Sequence, residues 1–300
     1  MPHATHRVAV VQHAPAAFDR DATLAIVADR TAEAAAKEAE LVLFPEAFVP
    51  AYPRGLGFGM VVGSRTDAGR ELWRLYSEQA VEVPSPASER LGAIAREHAV
   101  HLAIGVVELD AVTRGTLYCT LLVFGPDGRL LHHHRKLKPT AAERLVWGEG
   151  DGSSLHSIDT DLGRVGGLIC WENYMPRARA AIYESGCEVY LAPTADHREA
   201  WQHTMRHVAL EGRCFVLGCN QVMDASVYPP HVRALEPDLD EARAVSRGGS
   251  VIVAPTGEVL AGPLWDEPGM LVADLDMDLL RQTRLDFDVA GHYARADVFR

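Results

Sequence analysis

An α/β fold is predicted by three observations on this 300-residue sequence. Apolar runs of strand length alternate with segments of helical period almost from end to end. The hydrophobic fraction, 48% against 23% charged, is that of a globular chain long enough to bury a sizeable core. No Gly/Ser-rich linker and no repeat of 20 to 50 residues divides it. Together these predict a single domain over residues 1–300 in which helices cover the faces of sheets.

The elements follow in order. Residues 8–11 (Val-Ala-Val-Val) read as a buried strand, 21–40 as an Ala-rich helix with Asp21 as its N-cap, and 41–44 as a second buried strand. Helices are expected over 66–80 and 86–99. The second starts at Ser85-Pro86, because proline's missing N–H is no loss at a first helical position. Strands over 102–107 and 117–124 come next. Gly125-Pro126-Asp127-Gly128 then predicts a turn, since proline presets φ and glycine supplies φ > 0, and Leu130 and Leu131 begin the returning strand of a hairpin. The second half repeats the alternation: strand 164–170, helix 176–185, strand 189–193, helix 198–212, strand 215–221. An acidic, proline-containing loop over 228–245 leads to a terminal hairpin of 250–254 and 257–260, turned at Pro255-Thr256.

Charge and cysteine usage narrow the function classes. Acidic residues outnumber basic ones 41 to 29, a net charge of −12. No basic run exceeds His132-His133-His134-Arg135-Lys136, so nucleic acid is not expected as a partner. Five cysteines, Cys119, Cys170, Cys187, Cys214 and Cys219, are odd in number and lie mostly in strand-like runs, which fits a reducing compartment better than a disulfide framework. The apolar start is broken at Gln12, too early for a signal-peptide core, and nowhere do eighteen apolar residues run together. A cytoplasmic protein with no membrane partner is expected.

Three segments place a reactive side chain directly after a buried strand: Glu46 in Phe44-Pro45-Glu46-Ala47-Phe48, Lys136 in His134-Arg135-Lys136-Leu137-Lys138, and Cys170 in Leu168-Ile169-Cys170-Trp171-Glu172-Asn173. Ligand crevices of open α/β sheets form at such strand ends. A carboxylate, an ammonium and a thiol make a consistent nucleophilic set. A free thiol is only about 3% thiolate at neutral pH and needs a base or a nearby cation. Glu46 can accept the thiol proton, and Lys136 can balance negative charge developing on the attacked atom. Spacing alone leaves other readings open: Cys170 as a small core residue, Glu46 in a structural ion pair, Lys136 on a solvated basic face.

The wording of the segments points further. Phe44-Pro45-Glu46-Ala47-Phe48, Tyr52-Pro53-Arg54-Gly55 with Phe58-Gly59, Arg135-Lys136-Leu137-Lys138-Pro139-Thr140, Glu143-Arg144 with Trp147-Gly148, Cys170-Trp171-Glu172-Asn173-Tyr174-Met175-Pro176, Ala192-Pro193-Thr194-Ala195-Asp196 and Asp286-Phe287-Asp288-Val289-Ala290-Gly291-His292-Tyr293 stand in this order. Together they resemble the nitrilase superfamily of carbon–nitrogen hydrolases, and most nearly its true nitrilase branch, over almost the whole chain. The resemblance implies an αββα sandwich continued across a dimer. It implies Glu46 as general base and acid, Lys136 as the charge-stabilising lysine, Cys170 as the nucleophile and Glu143 as a second glutamate holding Lys136. It implies hydrolysis of an organic nitrile to the carboxylic acid and ammonia through a thioimidate and a thioester on Cys170, with an amide as side product when the thiolate leaves instead of ammonia.

Tyr52, Phe58, Trp171 and Trp201 lie in or near these loops and favour an apolar, aromatic side of the substrate, although each can equally be core. Tyr52, Trp171, Glu172, Thr194, His197 and Trp201 are the candidate substrate-binding residues. No cofactor is expected. No metal is expected either: His132 and His134 face one side of a strand and His133 the other, with no carboxylate or cysteine at ligand spacing. Cys214 and Cys219 read as core, and Gly166-Gly167 as a close backbone approach beside the nucleophile. Arg177 departs from the family pattern, where an apolar residue follows Met-Pro. The chain stops at Arg300, whereas many relatives continue, so a homodimer or short homo-oligomer with weak filament growth is expected. Two rivals remain, an amidase or carbamoylase built on the same three groups, and a thiol-based redox or regulatory protein that performs no hydrolysis.

Overall fold

The computed structural model describes residues 5–237 and 239–299; residues 1–4 of the N-terminal stretch weighed above, and Arg300, lie outside them. Within the strand Thr5–Gln12, Val8 and Val10 join one apolar cluster while Ala9 and Val11 join another. This is the two-sided alternation a pleated strand imposes. The strand Leu41–Leu43 divides in the same way, Leu41 and Leu43 against Val42, and so does His101–Leu109, Ala103 and Val107 against Leu102, Ile104 and Val106. Both faces are buried, which is why these runs read as continuously apolar.

Six strands form the first sheet in the order Gly269–Asp276, Thr5–Gln12, Leu41–Leu43, His101–Leu109, Leu117–Phe124, Leu130–Arg135. Thr5–Gln12, Leu41–Leu43 and His101–Leu109 run parallel, and the remaining pairs are antiparallel. The second sheet runs Val222–Met223, Ser246–Val253, Phe215–Asn220, Val189–Thr194, Gly163–Gly167, Ile158–Thr160, with Val259–Trp265 also paired to Ser246–Val253. Leu24 and Val27 of the helix Arg20–Ala36, with Leu91 and Ile94 of Pro86–His98, cover the outer face of the first sheet. Ala178 and Ile182 of Pro176–Glu184, with Met205 and Val208 of Glu199–Gly212, cover the second. The inner faces meet in one large cluster holding Val10, Leu43, Leu121, Val165, Leu191, Leu217 and Ile252. The layers are therefore helix, sheet, sheet, helix, the expected αββα sandwich. Each fully buried Leu, Ile or Val in it contributes roughly 1.5–3 kcal/mol.

Local expectations hold where turn or cap chemistry is explicit. Gly128 has φ +85° and donates to the Gly125 carbonyl at 2.8 Å. Ser85 and Ser88 cap the helix Pro86–His98 reciprocally. Corrections fall at element ends. The first helix is capped by Asp19, whose carboxylate accepts from Ala22 N–H at 2.9 Å, and Asp21 instead lies in the first turn, where a negative charge favours the helix dipole. The strand expected to reach residue 170 stops at Gly167, because Cys170 turns to φ +50° and opens a short 3-10 helix, Cys170–Tyr174. The loop expected over 228–245 contains the helix Pro230–Leu235. Not foreseen were the strand Gly269–Asp276, which pairs antiparallel along all of Thr5–Gln12, and the helix Asp278–Asp286. The strand is only half-buried, and its apolar run is confined to the four residues Met270-Leu271-Val272-Ala273.

Candidate active site

The three reactive side chains leave their strands at corresponding ends. Glu46 follows the strand Leu41–Leu43 by three residues. Its turn is pressed against the neighbouring strand, where a Cβ at Gly105 would lie 2.4 Å from the Pro45 carbonyl and 2.7 Å from the Glu46 Cα. Only glycine permits this approach. Lys136 directly follows the strand Leu130–Arg135, its N–H donating to the Cys119 carbonyl at 2.8 Å. Cys170 follows Gly167, where a Cβ would meet the Leu191 carbonyl at 2.1 Å, so the close approach expected there is present. The left-handed Cys170 backbone, a conformation costing on the order of 1–3 kcal/mol in a non-glycine residue, is held by Asn173, whose Nδ2 donates to the Cys170 carbonyl at 2.8 Å and the Leu168 carbonyl at 3.1 Å.

These side chains converge in one buried space. Lys136 Nζ donates to Glu46 Oε1 at 2.6 Å and to Glu143 Oε2 at 2.8 Å. Glu143 is fixed from two further sides, by Tyr52 OH donating to Oε1 at 2.7 Å and by Thr140 N–H donating to Oε2 at 2.7 Å. Thr194 Oγ1 donates to Cys170 Sγ at 3.1 Å. Glu46 Oε2 is buried with no hydrogen-bond partner, which leaves one carboxylate oxygen free to take a proton. A cavity of about 230 Å³ lies beside this group, lined among others by Tyr52, Arg54, Glu143, Val146, Trp147 and Arg243.

Burial sets the electrostatics. It pushes the Glu46 carboxyl above its ordinary value, with the Lys136 ammonium pulling the other way and Glu143 adding to the rise. Burial pushes Lys136 down, but the charge of Glu46 first, with Glu143 and, once they ionise, the Cys170 and Cys119 thiols, outweighs it and holds the ammonium well above its ordinary value. Burial, and next the Glu46 charge, push the Cys170 thiol up, opposed by Lys136. At rest the sulfur keeps its proton and the lysine its charge, and the carboxyl is brought toward neutrality.

The substrate-binding candidates divide. Tyr52 faces the cavity and anchors Glu143. Thr194 touches the thiol. Trp171 is half-exposed, its Nε1 donating to Asp196 Oδ2 at 2.8 Å. His197 stands beside Arg54 and Arg247, its Nδ1 buried without a partner and its pKa lowered by burial and by Arg54, but it is not bonded to the Glu46–Lys136–Cys170 group. Two candidates are turned away from it. Trp201 is 1% exposed in the helix-covered outer core, edge-on to Tyr174 at 5.8 Å, because its helix presents that face to the sheet. Glu172 is fully buried, and its carboxylate accepts from Leu137 N–H, Ile169 N–H and His134. Phe58 is likewise core, its ring tilted at 56° against Tyr76 with centroids 5.5 Å apart.

Sequence reasoning missed three neighbours. Cys119 donates to Glu46 Oε1 at 3.5 Å. Strand alternation carried the signal, since Cys119 shares the inner face with Leu117 and Leu121. Gln221 Nε2 donates to the Glu46 carbonyl at 2.6 Å, and Trp147 lies under Lys136, Nζ to ring 6.0 Å. Gln221 had no local signal, and Trp147 stood in the Trp147-Gly148 segment with no role assigned to it. The histidine run alternates as expected, His132 and His134 inward and His133 outward to Glu108 at 2.8 Å. All five cysteines are buried and free.

The family described as carbon-nitrogen hydrolase matches residues 7–285. The chain is 47% identical over 298 residues to a bifunctional nitrilase/nitrile hydratase, NIT4A, of Lupinus angustifolius, covering 98% of this chain and 84% of that protein. It is 48% identical to an aliphatic nitrilase of Sinorhizobium fredii, covering 98% and 94%. Among solved structures, a carbon-nitrogen hydrolase from Helicobacter pylori superposes with a TM-score of 0.77 at 21% identity, over 99% of this chain and 97% of that one. An amidase from Nesterenkonia sp. superposes with 0.71 at 23% identity, over 95% and 96%. Among the described residues no helix is long and apolar enough to cross a membrane.

Proposed function

This chain belongs to the carbon–nitrogen hydrolase family, and we propose that it is a nitrilase, converting an organic nitrile to the carboxylic acid and ammonia through a covalent bond to Cys170. The observation that carries the reading is the meeting of Glu46, Lys136 and Cys170 in a site closed to bulk water. The identities of 47% and 48% to proteins named as nitrilases support the nitrile as substrate.

The chemistry follows from the resting protonation states. Glu46 Oε2, the unpartnered oxygen, takes the Cys170 proton as sulfur adds to the nitrile carbon. The C≡N bond becomes C=N, and negative charge develops on nitrogen opposite Lys136. Glu46 returns the proton to that nitrogen, leaving a neutral thioimidate. Water then loses a proton to Glu46 and adds to the same carbon; Glu46 passes that proton to the nitrogen, the proton of the new hydroxyl follows it, and the C–N bond breaks to release ammonia and leave a thioester. A second water, activated in the same way, frees the acid and restores the thiol. One carboxyl serves as base and acid in turn, and burial has moved its pKa in the direction that this requires.

If the tetrahedral species expels the thiolate instead, an amide leaves. A relative named for both nitrilase and nitrile hydratase activity supports that branch. Glu143 and Tyr52 are assigned the positioning of Lys136, and Thr194 the orientation of the sulfur. The same reading makes the protein a cytoplasmic single domain that pairs as a homodimer or higher homo-oligomer. The half-exposed Trp171, Tyr174 and Met175 at the start of the helix Pro176–Glu184 are an apolar surface suited to such pairing. Incubation with a panel of nitriles and the matching amides, with ammonia measured, tests the activity: turnover of nitriles that is abolished by Cys170→Ala supports it, and turnover of amides alone overturns it.

A further inference from the structure

One buried carboxylate touches both strand ends that deliver the lysine and the thiol. Glu172 Oε1 accepts from the N–H of Leu137, the residue after Lys136, at 2.7 Å. Its Oε2 accepts from the N–H of Ile169, the residue before Cys170, at 2.8 Å. The two amides belong to different sheets, one at the end of Leu130–Arg135 and the other beyond Gly163–Gly167. The third partner is His134, whose Nε2 lies 3.0 Å from Oε2 and 3.2 Å from Oε1. On its far side His134 Nδ1 meets Ser154 Oγ at 2.9 Å. A ring protonated on Nε2 satisfies both contacts, donating to the carboxylate and accepting the serine hydroxyl. Glu172 and His134 have side chains with no exposure at all. His132, stacked on His134 at 6.2 Å, is kept neutral by its own burial, its pKa lowered to about 3.

We propose that Glu172, oriented by His134, is a positioning residue that sets the distance between the Lys136 ammonium and the Cys170 sulfur by tying the amides next to each into a single carboxylate. The inference rests on the reading of Lys136 and Cys170 as catalytic. A carboxylate is required because only two acceptor oxygens can take both amides and the imidazole at once. A carboxamide offers one oxygen, and its NH2 group faces a donor. A buried carboxylate that served stability alone would have no reason to choose as partners the amides flanking the two reacting side chains.

The test compares Glu172→Gln, His134→Ala and His134→Gln with the wild type on the nitrile that the wild type turns over fastest. Glu172→Gln is expected to lower kcat about 100-fold, the scale of a misplacement near 1 Å, with KM within threefold. His134→Gln, whose amide nitrogen replaces Nε2, is expected to keep at least tenfold more kcat than His134→Ala, so the histidine pair carries the test should Glu172→Gln not fold. A kcat for Glu172→Gln within threefold of wild type overturns the proposal. So does a loss fully accounted for by the unfolded fraction in circular dichroism, or equal activity in the two His134 variants. If the wild type turns over no nitrile, the nitrilase reading fails, and the positioning claim is then read from the rate at which iodoacetamide alkylates Cys170. Alkylation tenfold slower in Glu172→Gln than in wild type sustains it, and equal rates overturn it.

Discussion

Replacing Lys136 by methionine removes one charge and almost no volume from the centre of the site. Its Nζ lies 2.6 Å from Glu46 and 2.8 Å from Glu143, and the side chains of the three are 0%, 0% and 10% exposed. The variant leaves two carboxylates facing one another without the cation between them. Stripping one partner from a buried ion pair costs about 3–5 kcal/mol, relieved as soon as one carboxyl binds a proton. The sign follows: burial already raises Glu46 and Lys136 opposes that rise most strongly, so without the ammonium Glu46 titrates higher still. The destabilisation therefore grows as the pH rises above the ordinary carboxylate value of 4.5 and shrinks as the pH falls toward it. Activity falls separately, by about 100- to 1000-fold in kcat, because no cation meets the charge developing on the substrate nitrogen. Urea unfolding at two pH values and ammonia release measure the two effects. A variant as stable as wild type at neutral pH, or one whose kcat is within threefold, would refute the reasoning.

Tyr52→Phe deletes the hydroxyl that donates to Glu143 at 2.7 Å; a bond to a charged group contributes about 1.5–3 kcal/mol, so kcat in the ammonia assay should fall at least about tenfold while the fold persists. Trp201→Ala should cost about 3–5 kcal/mol in denaturant unfolding and leave KM for aromatic nitriles unchanged in the folded fraction, because the ring is core. The acid limb of kcat/KM should lie above the ordinary carboxylate value of 4.5, since Glu46 is raised and works as a base only when ionised. Glu108 behaves oppositely. Burial alone would raise it, but bonds from His133 and Arg135 hold it down at about 2, so the stability it contributes is present above 4.5 and is lost as pH falls from there toward 2, a decline that Glu108→Gln should flatten in an acid-unfolding series.

How much of this was legible depended on whether the signal was local. Glu46 and Cys170 stood out because each follows an apolar run, and Lys136 because it closes the returning strand of a hairpin; strand ends are where α/β sheets build crevices. The turn at Gly125–Gly128 and the cap at Ser85 are written in residues that act on their own backbone. Asp19 outcompeted Asp21 as cap because one residue's difference in helix start decides which carboxylate reaches a free amide, and apolar periodicity is too coarse to show it. The strand Gly269–Asp276 draws its stability from the neighbour Thr5–Gln12, more than 250 positions away in sequence. Trp201 and Glu172 were assigned to the substrate from their place beside motifs, and only packing shows one inside a helix–sheet core and the other consumed by backbone amides. Gln221 reaches Glu46 from just beyond the strand Phe215–Asn220 of the other sheet, a contact that no spacing in the sequence announces.

The covalent step is tested most directly by intact-protein and peptide mass spectrometry of samples quenched in acid during nitrile turnover. A nucleophilic Cys170 predicts added mass matching the thioimidate or the acyl group, on the peptide that carries this cysteine, and none in Cys170→Ala. Steady release of ammonia from a variant lacking that sulfur, or an adduct on Cys119 instead, would contradict it.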